Sequence, residues 1–289
     1  VEAGGSIVEF ADEWNVRYLV RNHQIFAIAD RRKVLTGGFN VSDHYFDPPE
    51  KNGWCDLGVL IEGEVVGKFS EWFALIEEWA KSDNSQFRRI RTFIRNWDAG
   101  DGKVRLLLGG PLLRRSHWAY QFKQDLSWSS RLDCVTAYFG PPGSFRRAIG
   151  RLARRGRARI ICAGVSDLKG TIYVARLYYR KLLRAGASIF EFQPSKLHMK
   201  LIMLDDLSYF GSANLDRRSL RINIELMVRV EDEGLAIRLR ELVDHLEEAS
   251  VEVDEKRYRE NSTFLHRLLW RIFHWISLLD YSAGKAAST

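Results

Sequence analysis

The chain of 289 residues predicts a mixed α/β fold built from two related halves. Three observations predict it: strand-like runs alternating with helical ones, a set of features that occurs twice in one order, and a composition suited to a sizeable core. The composition is 46% hydrophobic and 12% aromatic with only six prolines, which is that of a folded chain. Lys and Arg exceed Asp and Glu by seven and the sequence pI is near 9.3. That excess favours polyanionic surfaces, such as anionic lipid headgroups or nucleic acid.

The duplication is read directly. EAGGSIVEF (2–10) matches RAGASIFEF (184–192), each an Ala-Gly helix ending followed by an alternating strand. A histidine follows in each, His23 and His198, and an aspartate stands seven residues beyond it, Asp30 and Asp205. Glycine-asparagine turns come next, GGFN (37–40) and GSAN (211–214), and then an acidic residue opening a strand, Asp56 and Glu225. The second copy has more around it. Strand-like runs at 104–110, 131–139 and 157–164 alternate with helical stretches near 116–129, 143–156 and 171–185, the last capped by Gly186. The first copy has no counterpart to these, so its half reads as truncated at its N-terminus. A helix from Trp72 to Ala80 is expected to close it, with 81–103 as a polar connection.

The boundaries expected are an incomplete first half at 1–95, a complete second half at 104–250, and an amphipathic helix with its tail at 255–289. The chain starts at Val1 in mid-pattern, which reads as a fragment or processed product. Cys55, Cys134 and Cys162 are scattered, with no Cys/His spacing suited to zinc, so neither a metal nor a cofactor is expected and a reducing cytoplasm is.

The chemistry concentrates in the second copy, H-x-K-x4-D-x5-G-S-x-N: His198, Lys200, Asp205, Gly211, Ser212 and Asn214. Alternate residues of a strand share a face, so His198 and Lys200 point together. An imidazole beside an ammonium suits a phosphodiester: the lysine neutralises a non-bridging oxygen while the histidine attacks phosphorus or protonates the leaving oxygen. Ser212 and Asn214, with Asn40 in the first copy, are expected to serve phosphoryl oxygens. Glu225 is expected to accept the proton of the second His198 ring nitrogen, with Asp56 its first-copy counterpart. Asp205 is expected to anchor the strand-to-turn connection more than to touch substrate.

The string KLHMKLIMLDDLSYFGSANLDRRSLRINIE (196–225) resembles the carboxy-terminal HKD motif of the phospholipase D superfamily, in its cardiolipin synthase-like branch. The likeness continues upstream in AYFGPP (137–142), and RNHQIFAIADRRKVLTGGFNVSDHYF (21–46) with WCDLGVLIEG (54–63) resembles the first HKD half. The resemblance spans roughly 1–66 and 104–245. It implies a phospholipase D fold with two pseudo-twofold-related α/β halves and mixed sheets. His198, Lys200, Asp205, His23 and Asp30 would form one catalytic set, with His23 as nucleophile and His198 as acid. It also implies transfer of a phosphatidyl group between two phosphatidylglycerol molecules through a phosphohistidine. The partners implied are an anionic phospholipid and the cytoplasmic face of a membrane, rather than nucleic acid.

One departure matters. Two residues after His23, where the motif has lysine, stands Ile25. That motivates one alternative, a non-catalytic membrane-binding protein. A second, a phospholipase D-like hydrolase of lipid or nucleic acid, stays open because nothing in the spacing selects an alcohol over water as acceptor. Elsewhere, 264–280 reads as an amphipathic helix, docked on the core or lying in a lipid interface with Trp270 and Trp275 at the boundary. The basic stretch 145–159 reads as a helix with a solvated face leading into a strand. Arg217 and Arg218 follow the catalytic turn closely enough to help hold a phosphate or a buried carboxylate.

Overall fold

The computed structural model describes residues 4–8, 21–82, 87–110 and 116–279. The first half is a three-stranded antiparallel sheet in the order β1 (Phe26–Ala29), β2 (Lys33–Gly37), β3 (Gly58–Glu62). Its pleat puts Val34, Thr36 and Ile61 inward and leaves Leu35 and Leu60 on the outer face. Helix α1 (Val65–Lys81) buries Val66, Phe69, Trp72 and Trp79, so it begins well before the expected Trp72.

Two expectations fail in this half. Residues 5–8 form no strand, and the rest of the EAGGSIVEF run lies outside the described residues. The connection at 81–103 contains a helix, α2 (Phe87–Arg95). Ile90 and Ile94, four apart, bury one face of it beside Trp97 while arginines occupy the others, a pattern easily taken for a polar linker.

The second half runs β4 (Val104–Gly109), α3 (His117–Trp128), β5 (Arg131–Thr136), β6 (Phe139–Gly140), α4 (Gly143–Arg155), β7 (Arg157–Ala163), α5 (Lys169–Leu183) and β8 (Ser188–Phe192). It continues with β9 (Lys200–Leu204), β10 (Leu207–Gly211), β11 (Leu215–Asp216), α6 (Arg217–Arg221), β12 (Glu225–Glu231), α7 (Glu233–Glu248) and β13 (Ser250–Glu252). Helices α8 (Glu255–Asn261) and α9 (Phe264–Leu279) close the described chain. Eight strands form one mixed sheet, β13-β8-β7-β5-β9-β10-β12-β4, with β5, β7 and β8 parallel. Gly186 takes φ 90° just past α5, where only glycine is unstrained.

Alternation divides the sheet between two cores. Cys134, Ile160, Ile202 and Leu204 face α3, α4 and α5, packing on Phe122, Ile149 and Tyr179. Val135, Ile161, Leu201 and Met203 face α7, and the same core takes in Trp72, Trp79 and Ile94 from the first half. The halves therefore share a core rather than standing as separate bodies.

The basic stretch at 145–159 is less solvated than its composition suggests. Arg159 is buried on β7, with Nε 2.6 Å from Asp133 on β5 and Nη1 2.5 Å from both Asp244 and Glu247 on α7. Removing one member would strand a buried charge, at a cost of about 3–5 kcal/mol. Helix α9 docks on α5 through Phe273, against the Tyr173 ring, and through His274, 3.1 Å from the Tyr178 hydroxyl. Trp270 is buried there rather than at a boundary, because the docked face claims it. Asp280 and the tail to 289 lie outside the described residues.

Candidate active site

Two short parallel bridges place the histidines. Asn22 pairs with Ile224, and Cys55 pairs with Leu197. The His23 amide donates to the Ile224 carbonyl at 3.0 Å, and the His198 amide donates to the Cys55 carbonyl at 2.8 Å. Each bridge joins the histidine segment of one half to the segment before the acidic residue of the other. The carboxylates are thereby exchanged. His198 Nδ1 lies 2.7 Å from Asp56 Oδ2, and His23 Nδ1 lies 3.2 Å from Glu225 Oε1. Glu225 does not serve His198, as the sequence order suggested. The twofold relation delivers it to the opposite histidine.

The two pairs differ in burial. The His198 side chain is 16% exposed over an Asp56 that is 5% exposed, whereas His23 is 37% exposed over a fully buried Glu225. Asp56 also accepts from the Leu57 amide, which fixes the carboxylate. Nδ1 of His198 cannot donate to Asp56 and accept from an ammonium at once. The charged acceptor takes the proton, leaving the Nε2 lone pair for chemistry. Burial holds the His198 imidazole below its ordinary value of 6.5, against the opposing pull of Asp56, so the ring is neutral near pH 7.

Lys200 projects from the first residue of β9 to the same place, 4% exposed. Its Nζ lies 3.1 Å from His198 Nε2 and donates to the carbonyls of His198 and Gly38. Burial pushes this ammonium down to about 8. A methyl group at Gly38 would sit 2.6 Å from Asp56 Oδ1 and 2.7 Å from Lys200 Cδ, so the bare backbone of the GGFN turn is what admits both groups.

The remaining expected residues scatter. Asp205 lies at the far end of β9, about 16 Å along the strand from its start. It takes φ 48°, and its carboxylate accepts from the Ser130 amide and hydroxyl and the Arg131 amide. It anchors the hairpin to β5 and does not join the histidines. Asp30 occupies the matching exposed turn between β1 and β2. The Ser212 hydroxyl donates to Glu225 at 2.5 Å, the carboxylate that backs His23. Asn214 accepts from the Tyr138 amide, and Asn40 donates to the Tyr45 hydroxyl. Ile25 is half-buried, and its carbonyl accepts from the hydroxyl of buried Thr36.

Sequence reasoning missed several neighbours. The Tyr45 hydroxyl reaches 3.5 Å from His198 Nε2, and the Trp54 ring lies 5.5 Å from the imidazole. Both sit in the stretch between GGFN and Asp56, which is longer than its second-copy counterpart between GSAN and Glu225. Asn223 was missed as well. Its amide nitrogen lies 3.1 Å from His23 Nδ1 and 3.2 Å from Glu225 Oε1.

Two α/β halves that exchange carboxylates around a pair of histidines at their seam define a phospholipase D-type fold. The comparisons agree. Residues 124–249 match the family model described as cardiolipin synthase, PLD-like domain. The chain is 31% identical over 277 residues to cardiolipin synthase A of Pseudomonas fluorescens, covering 92% of this chain and 56% of that protein. It is 28% identical over 258 residues to the probable cardiolipin synthase YwiE of Bacillus subtilis, covering 86% of this chain and 50% of that one. The phosphatidylserine synthase structure of Haemophilus influenzae superposes with TM-score 0.70 at 14% identity, covering 92% of this chain and 71% of that one. The chain has a phospholipase D-type fold, and residues 124–249 carry the likeness to the cardiolipin synthase PLD-like domain. It spans about half the length of the curated relatives it matches.

Proposed function

We propose that the chain is a phosphatidyltransferase that joins two phosphatidylglycerol molecules into cardiolipin and releases glycerol. The observation that carries this is the pair of carboxylate-backed histidines with one buried ammonium beside them. Nε2 of one histidine attacks the donor phosphorus and displaces the glycerol oxygen, which takes a proton from the other histidine. The terminal hydroxyl of a second phosphatidylglycerol then gives its proton back to that histidine and attacks the phosphohistidine. Lys200 neutralises the charge that builds on the non-bridging oxygens, and no metal is required by this sequence of steps.

Peripheral membrane association is part of the proposal. Phe264, Leu265, Leu268, Ile272 and Trp275 of α9 are all exposed and fall within an arc of about 100°. The docked residues Trp270, Phe273 and His274 face the other way, and Arg267 and Arg271 lie between the two faces. An apolar strip flanked by arginines suits an anionic lipid surface. Among the described residues, no helix is long and apolar enough to cross a membrane.

The test is turnover of phosphatidylglycerol vesicles by the parent, His198→Ala and Ile25→Lys. The parent is expected to form cardiolipin, and His198→Ala to lose on the order of 10⁴-fold or more in kcat. Ile25→Lys is expected to stay within about tenfold of the parent, since one cation already faces the reacting phosphate. Phosphatidic acid without cardiolipin would favour the hydrolase. A silent parent with an active Ile25→Lys would mean a decayed first half.

A further inference from the structure

Ile25 leaves the first half without the ammonium that Lys200 supplies in the second. A diester in transfer nevertheless develops charge on both of its non-bridging oxygens, and each is stabilised by a donor aimed at it. The segment between the GGFN turn and Asp56 holds a group suited to that task. Residues Asp43–Tyr45 form a single helical turn, in which the Tyr45 amide donates to the Ser42 carbonyl at 3.1 Å. The chain then folds back, and the Trp54 amide donates to the His44 carbonyl at 2.8 Å. That return packs the Trp54 ring 4.8 Å from the Tyr45 ring. It sets the Tyr45 ring edge-on to the His198 imidazole, with centroids 5.0 Å apart.

The hydrogen bonds direct the tyrosine proton. Asn40 Nδ2 donates to Tyr45 Oη at 2.8 Å, so the hydroxyl accepts from Asn40 and keeps its own proton for another partner. The amide that the sequence marks for a phosphoryl oxygen thereby acts at one remove, through Tyr45. On the side of the histidines that proton meets His198 Nε2, 3.5 Å away, the same nitrogen that lies 3.1 Å from Lys200 Nζ. A contact of 3.5 Å is loose, so an oxygen of higher charge displaces it at little cost. Burial pushes the Tyr45 hydroxyl up to about 12, which keeps it a donor at neutral pH.

An oxygen of the reacting phosphate comes within about 3 Å of Nε2, whether that nitrogen exchanges a proton with the diester or attacks it. Lys200 Nζ and Tyr45 Oη both stand close enough to that point to donate. We propose that Tyr45 is a further catalytic residue: its hydroxyl, oriented by Asn40, donates to a phosphoryl oxygen beside Lys200 and takes part of the charge that a lysine at position 25 would take. No proton leaves Tyr45 and no bond to it forms. The inference rests on the transferase reading and leaves the roles of the two histidines as they are.

Titration calorimetry with orthovanadate, whose five-coordinate complexes imitate the phosphorane, reads the contact directly. Tyr45→Phe keeps the ring and its packing. It is expected to weaken vanadate about tenfold, with Tm within about 4 °C of the parent. Asn40→Ala is expected to weaken vanadate about threefold while Tyr45 is present, and to add nothing in the Tyr45→Phe background. Vanadate affinity unchanged in Tyr45→Phe overturns the assignment, as do losses from Asn40→Ala that add in full or a parent that binds no vanadate.

Turnover of phosphatidylglycerol vesicles supplies the second readout. Tyr45→Phe is expected to lower kcat about tenfold to a hundredfold with KM within about threefold, because the hydrogen bond strengthens as charge develops on the oxygen. A loss confined to KM overturns the assignment. A parent without turnover would sink the transferase reading, while the vanadate titration still decides whether Tyr45 serves a phosphoryl oxygen.

Discussion

The two halves carry the same order of features and have kept different amounts of them. The second surrounds His198 with an eight-stranded sheet, a buried ammonium and a nearly closed environment. The first offers three short strands, Ile25 in place of a lysine, glycine in place of a serine at Gly38, and a histidine open on one side. The exchange of carboxylates explains why such unequal halves stay together. His198 depends on Asp56 from the first half, and His23 depends on Glu225 from the second. Neither half holds a complete histidine pair, so the first can lose helices and a cation but not Asp56, His23 or the bare turn at Gly38.

The sharpest way to break this comparison is to remove one exchanged carboxylate at a time. Asp56→Asn leaves the shape intact but no longer fixes the His198 tautomer, and kcat is expected to fall by on the order of 10³–10⁴-fold. Glu225→Gln should cost less, since Asn223 still contacts His23. Steady-state turnover of phosphatidylglycerol measures both, and equal losses would mean the halves contribute alike.

Lys200→Met removes the buried ammonium beside His198 and is expected to lower kcat by about 10²–10³-fold. The pH profile of kcat/KM sharpens the point. The ammonium is present below about 8 and lost above it, so activity should fall as pH rises through that value. Activity should also fall as pH drops below 6.5 and His198 protonates, since its burial places that limb under the ordinary histidine value. In Lys200→Met the alkaline limb should disappear from the residual activity.

Gly38→Ala tests the first half's steric contribution. Its methyl group would collide with Asp56 and the Lys200 stem. A displacement of that kind is expected to lower kcat by roughly tenfold to a hundredfold with the fold retained by circular dichroism. The smallest catalytic effect is expected at Asp205→Asn. Its carboxylate binds Ser130 and Arg131, so it should cost about 1–2 kcal/mol of stability and about 2–4 °C in Tm. Turnover should stay within about twofold. A larger loss of turnover than of stability would return Asp205 to the catalytic set.

Much of the second half was legible because its signals are local. The runs at 104–110, 131–139 and 157–164 became β4, β5 with β6, and β7, since apolar alternation and length identify a strand before any tertiary contact forms. Helix α2 was hidden because only Ile90, Ile94 and Trp97 mark its buried side among arginines. Tyr45 and Trp54 were hidden because only the tertiary fold brings them from the first half to His198.

The sequence by itself determined the duplication, the spacing of His198 and Lys200, and the missing lysine at Ile25. Each follows from spacing along one chain. The tertiary structure decided which carboxylate lies beside which histidine, that Asp205 binds Ser130 and Arg131 while Ser212 binds Glu225, and that arginines from α4 and α6 meet Lys169 of α5 around one cavity. A pattern that repeats looks the same whether its halves are completed in place or by exchange. Only the bridges between Asn22 and Ile224 and between Cys55 and Leu197 distinguish the two, because they bring together residues separated by most of the chain.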